Sequence, residues 1–142
     1  MSQPESKSFA ASPGSVVDIA ARIRSGELTP SAAVETCLNR IADVDEFVQA
    51  WVSVDEAGAI AEARDMTREA GKGEFRGPLH GVPVAIKDIC DVAGWPTRCN
   101  SATRANVAPA TADADIVASL RAAGAVVIGK THTTEFAYYD PS

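Results

Sequence analysis

Cysteine is scarce in this 142-residue chain. Cys37, Cys90 and Cys99 are the three present. They are odd in number and form no C-x-x-C pair, which argues against a disulfide framework and against a zinc site built on such pairs. Basic charge is also in deficit: 13 Lys and Arg against 19 Asp and Glu leave a net charge of −6. That balance disfavours a nucleic-acid-binding surface as the main function. No apolar run approaches the ~18 residues a membrane-spanning helix needs. The stretch Met1 to Gly14 is polar and has no apolar core of a secretory leader. No internal repeat and no low-complexity tract is present. The expectation is a soluble, reduced, cytoplasmic protein without a membrane segment.

What remains is ordinary globular usage, with 46% hydrophobic and 23% charged residues. The length suits one domain or a piece of a larger one. Residues 1–14 read as a flexible lead-in. Ser15 then caps a helix in a capping-box arrangement with Asp18, and Val16, Ile19, Ala20 and Ile23 fall on one face. Gly26 ends it. Thr29-Pro30 starts a second helix whose apolar face is Val34, Cys37, Leu38 and Ile41. The β-branched and aromatic run 47–54 predicts a strand. Asp55 caps a third helix, reaching about Ala70 before Gly71.

A short strand is expected over 82–87, with Val82, Val84 and Ile86 on one face and Ala85 and Lys87 on the other. Residues 91–111 read as irregular. A helix is expected over 113–123, with Ile116, Val117 and Leu120 as its stripe. The continuous apolar run 125–128 has the character of a strand buried on both faces of a parallel sheet. Strand 82–87, helix 113–123 and strand 125–128 then make a right-handed βαβ unit.

Chemistry concentrates in Gly77 to Asp88, GPLHGVPVAIKD. Lys87 closes a short apolar strand, at the end where open α/β sheets place ligands. Desolvation there makes a neutral base of a lysine. The plainer alternative is a strand-terminal ion pair of Lys87 with Asp88 or Asp91. Val84 to Lys87 also spells the V-A-I-K of a protein-kinase strand. That reading fails: the glycine-rich loop would need glycine where Arg76 stands, and no H-R-D or D-F-G follows.

The longer pattern resembles the amidase signature family. The resemblance rests on GPLHGVPVAIKDICDVAG, on DADIVASLRAAGAVVIGKT, and on the EFA of Glu135 to Ala137. It implies an α/β fold, the N-terminal part of a mixed β-sheet flanked by helices, with a helical N-terminal region. It implies cleavage of carbon–nitrogen amide bonds by a Ser–cis-Ser–Lys triad, in which Lys87 matches the lysine. It implies a small-molecule amide substrate and no metal or organic cofactor. The loop carrying Glu135, Phe136, Ala137 and Tyr138 is implied to line the substrate pocket. Ordinary packing of Phe136, Tyr138 and Tyr139 is the alternative.

The glycine- and serine-rich segment that carries both family serines has no counterpart in residues 1–142. Residues 15–142 are therefore expected to be the N-terminal portion of a single amidase domain, inactive alone. Two alternatives stay open. One is a non-catalytic product or interaction module on an amidase scaffold. The other is the acyl-transfer subunit of a tRNA-dependent amidotransferase, the case in which nucleic acid and partner subunits enter. A homo-oligomer is also open.

Other residues point less far. His80 is expected to make a structural hydrogen bond in its loop. His132 follows the second strand, near the loop implied to line substrate. Cys90 and Cys99 show no activating neighbours. Arg98 reads as an anion contact or a surface ion pair. Trp51 and Trp95 read as packing residues.

Overall fold

The computed structural model describes residues 14–138. The lead-in expected over 1–14, apart from Gly14, and the packing expected of Tyr139 lie outside the described residues. The first helix, α1 (Val16–Ser25), starts as its cap predicts: Ser15 and Asp18 form a reciprocal capping box. Gly26 ends it in a left-handed conformation at φ 80°. Ile19 and Ile23 are buried, but Val16 is 52% exposed, so the apolar face is shorter than its spacing suggests.

Helix α2 (Pro30–Val48) is capped by Thr29, with proline in its first turn. It runs through Phe47 and Val48, so the strand expected over 47–54 is shorter, β1 (Trp51–Val54). The cause is a local stop. Gln49 adopts φ 51° and donates its N–H to the Asp45 carbonyl, and the Asp45 carboxylate accepts from the Ala50 N–H at 2.7 Å. That cap holds the helix two residues into the β-branched run. Helix α3 (Glu56–Ala70) follows, with the Asp55 carboxylate accepting from the Gly58 N–H.

Two further strands and a helix complete the frame: β2 (Pro83–Lys87), α4 (Asp115–Ala122) and β3 (Val126–Thr131). The sheet order is β1-β3-β2, with β2 parallel and β1 antiparallel to the central β3. The expected parallel neighbours are thus present, with α4 between them in the chain. Residues 124–130 are all buried, as a central strand requires. Pro83 opens the edge strand β2, where its missing N–H leaves no ladder bond unmade.

Three apolar clusters hold the layers together. Val34, Leu38, Ala59, Ala63 and Met66 of α2 and α3 pack on Val126 and Ile128. Val117 of α4 packs with Val92 on Ile86 and Val127. Val82 does not share a face with Val84 and Ile86 as expected. It precedes the strand and packs with Ile19, Ile23 and Ala33 under α1.

Helix α4 also starts later than expected. The Asp113 carboxylate accepts from the Ala93 N–H at 2.7 Å and pairs with Arg121 at 3.1 Å, clamping the preceding loop instead of capping the helix. Ile116 is 59% exposed, because Val117 and Leu120 already fill the buried stripe.

Candidate functional site

Lys87 stands at the C-terminal end of β2, opposite Thr131 at the end of β3. Partners across a parallel ladder project to the same face, so Ala85, Lys87, Gly129 and Thr131 share one side of the sheet. Gly129 is required there. A Cβ at this position would meet the Ser53 carbonyl oxygen and sit 2.9 Å from the Trp51 ring, which lies over it. Trp51 is thereby a packing residue, as expected, against the α2–α3 cluster.

Lys87 and Ala85 are both exposed, so the desolvation expected around the amine is not provided by the described residues. The alternative ion pair of Lys87 is not formed either. Asp88 is engaged by Lys130, and no ion pair among the described residues includes Lys87.

Behind Lys87, on the other face, lies a buried polar knot. Asp88 and Lys130 are each 1% exposed, and Lys130 Nζ lies 2.9 Å from Asp88 Oδ1. The contact is Coulombic and lacks hydrogen-bond alignment at Oδ1. Nζ donates instead to the Cys90 carbonyl at 2.8 Å and to Thr97 Oγ1 at 3.0 Å. Asp88 Oδ2 accepts from the Arg98 N–H at 3.2 Å, and the Asp88 carbonyl accepts from the Cys99 N–H.

A β-bulge makes this knot reachable. Val84 pairs with Val127 but Ala85 pairs with Gly129, so Ile128 is extra in the ladder. The slip reverses the phase of β3, and Lys130 pairs with Ile86 on the side of Val127. Strict alternation would have placed it with Val126 and Ile128.

The segment 88–105 then wraps the strand ends. Cys99 and Asn100 both have positive φ, 54° and 51°. Phe136 and Ala137, in the short turn Glu135–Ala137, do as well, at 51° and 57°. The two strained segments meet: Ser101 Oγ donates to Glu135 Oε1 at 2.6 Å, and the Phe136 N–H donates to the Cys99 carbonyl at 2.9 Å. Glu135 is therefore joined to Ser101. Phe136, Ala137 and Tyr138 are exposed beside it. No hydrogen bond or ion pair among the described residues joins this turn to Lys87.

A hollow of about 260 Å³ opens at this end, with Asp88, Arg98, Asn100, Ser101 and His132 in its wall. A larger hollow of about 470 Å³, lined by Ile23, Leu28, Thr67 and Phe75, contains none of these strand-end residues.

Arg98 forms no ion pair among the described residues. Its Nε reaches the Ala105 carbonyl at 3.4 Å. His80 makes the structural hydrogen bonds expected of it. Its Nδ1 accepts from the Arg76 N–H at 3.0 Å, so Nε2 carries the proton and donates to the Met66 carbonyl at 2.9 Å. Burial pushes the Cys37 thiol above its ordinary range, away from thiolate chemistry. Among the described residues no cluster of His, Cys, Asp or Glu is placed to hold a metal. No described helix is long and apolar enough to cross a membrane.

Sequence reasoning misses Lys130 and Ser101 as members of this end, and it offers Asp88 to Lys87 where the structure pairs it with Lys130. Lys130 carries a signal: one charge within a strand otherwise buried and apolar must find a partner.

The layered mixed sheet has structural relatives. The native peptide amidase from Stenotrophomonas maltophilia superposes with a TM-score of 0.77 at 34% identity, over 94% of this chain and 26% of that one. The amidase family model matches residues 32–140, and the chain belongs to the amidase signature family. A glutamyl-tRNA(Gln) amidotransferase subunit from Streptomyces coelicolor is 45% identical over 120 residues, 84% of this chain and 24% of its own. An amidase of Pseudomonas putida is 39% identical over 125 residues, 87% and 26%. The chain spans about a quarter of the length of these relatives.

Proposed function

We propose that residues 15–142 are the lysine-bearing N-terminal portion of an amidase domain that cleaves carbon–nitrogen amide bonds in the cytoplasm, with Lys87 as its base. The observation that carries this reading is the position of Lys87. It ends β2 beside β3 as an exposed residue, on the face it shares with Ala85, Gly129 and Thr131. In the mechanism that family membership suggests, a serine oxygen attacks the amide carbon. Its proton passes through a second serine to the Lys87 amine. The resulting ammonium returns that proton to the leaving nitrogen as the C–N bond breaks, and water releases the acyl group. Glu135 to Tyr138 belong to the substrate side in this reading.

The test is to exchange the matching segment of the Pseudomonas putida amidase for residues 15–138 and measure kcat/KM on a small amide. Lys87→Ala should lose about 10²–10⁴-fold or more. Lys87→Arg should lose nearly as much, because a guanidinium stays protonated and cannot accept the proton. Activity near the parent level in Lys87→Arg rejects the assignment. The 142-residue chain assayed alone should show no turnover.

A second reading is acyl transfer within a tRNA-dependent amidotransferase, favoured by the 45% identity to the Streptomyces coelicolor protein. Glutamine-dependent activity that appears only with added partner subunits would select it.

A further inference from the structure

The Asp88–Lys130 pair is the most costly feature of this end of the sheet. Two charges at 1% exposure each give up nearly all of their hydration, and apolar residues of similar volume are often neutral or stabilising replacements. The bulge at Ile128 and the left-handed backbone at Cys99 and Asn100 add to that cost. All of them converge on residue 88, the neighbour of Lys87. Asp88 is tied at four points: by its N–H to the Thr131 carbonyl, by its carbonyl to the Cys99 N–H, and by its carboxylate to the Arg98 N–H and to Lys130.

We propose that Asp88 and Lys130 are positioning residues for Lys87: the pair fixes the strand end that carries Lys87 and balances the charge that its amine meets. The inference rests on the reading of Lys87 as the base. The side chains of Lys87 and Asp88 leave the strand on opposite faces, so the pair acts through the backbone and through space, not by contact. Neutralising one partner should therefore expose Lys87 to the uncompensated charge of the other. Asp91, Arg98, His132 and Glu135 stand on the segments that meet here and are common to all variants.

The experiment uses the 142-residue chain. Lysine acylation by an acetyl N-hydroxysuccinimide ester is followed at one pH and low salt, with each lysine resolved by mass spectrometry. Lys72 is the exposed internal reference. Asp88→Asn leaves the Lys130 charge and should speed acylation of Lys87. Lys130→Met leaves the Asp88 charge and should slow it. Each change should be about two- to fivefold, as expected for a unit charge roughly 10 Å from an exposed amine and screened by a nearly water-like dielectric. The double variant should return the rate toward the parent value.

A purely structural role gives shifts of one sign, or none, and overturns the charge-balancing role. Amide exchange of the double variant decides the anchoring role even where a single variant does not fold. Protection at Asp88 and Cys99 should fall at least tenfold, with α2 and α3 unchanged. Unchanged protection overturns it. An active Lys87→Arg enzyme would reject the catalytic reading while leaving both of these results standing.

Discussion

Ser101 donates a 2.6 Å hydrogen bond to Glu135, 34 residues further along the chain. Ser101 is 5% exposed and also shares a 2.8 Å contact with Thr103 Oγ1. This bond holds two segments of positive φ against each other, and such segments persist only where their surroundings over-determine them. Ser101→Ala should cost about 1.5–3 kcal/mol, the usual range for a hydrogen bond to a charged group. Urea unfolding checks the magnitude. Faster amide exchange at Phe136, with no change in α2, checks the location.

Gly129→Ala should destabilise the chain by about 1–3 kcal/mol, because the added methyl has no room between Ser53 and Trp51. The strain should fall on the pairing of β1 with β3. Trp51 emission, read in a Trp95→Phe background, should shift to the red. An unshifted spectrum with unchanged stability would contradict the packing described.

His80→Phe keeps an aromatic ring beside Phe75, whose centroid lies 5.2 Å away. It strands the Arg76 N–H and the Met66 carbonyl without their partner. The expected loss is about 2–4 kcal/mol, one unsatisfied buried donor plus one acceptor. A near-neutral result in urea unfolding would mean that water replaces the imidazole.

Glu69 is held below the usual carboxylate range, chiefly by its hydrogen bond with Arg76. The Arg76 guanidinium makes two short bonds to it, at 2.7 and 2.8 Å. A depressed folded value means that the stabilisation is complete above the unfolded value, about 4.3 for glutamate. It is lost as pH falls through the lower folded value. Both side chains are partly exposed, so the contribution is of the order of an exposed pair, about 0.2–1 kcal/mol. The stability gap between the parent chain and Glu69→Gln should be largest at about pH 6 and close below about pH 4. A gap that widens on acidification would reverse the sign.

Local chemistry is legible in the chain itself. The caps Ser15, Thr29 and Asp55 announce α1, α2 and α3, because a capping oxygen and the N–H it serves lie within three residues. The apolar run at 125–128 announces a strand buried on both faces, and the order of elements announces its parallel neighbour. Lys87 stands out by its place at the end of such a strand. Phe47 and Val48 mislead, since their β-branched and aromatic character favours a strand while a cap at Gln49, assisted by Asp45, extends the helix.

Tertiary structure alone decided which face Lys130 takes. One extra residue in the ladder at Ile128 reverses the alternation, and the period-2 pattern carries no record of such a slip. It also decided that Asp88 pairs with Lys130 rather than Lys87, and that Ser101 meets Glu135. These partners lie tens of residues apart, and their meeting depends on how the sheet is ordered. Sequence determines local elements through neighbours a few bonds away. The chemistry of the strand ends arises from groups that only the folded sheet brings within reach.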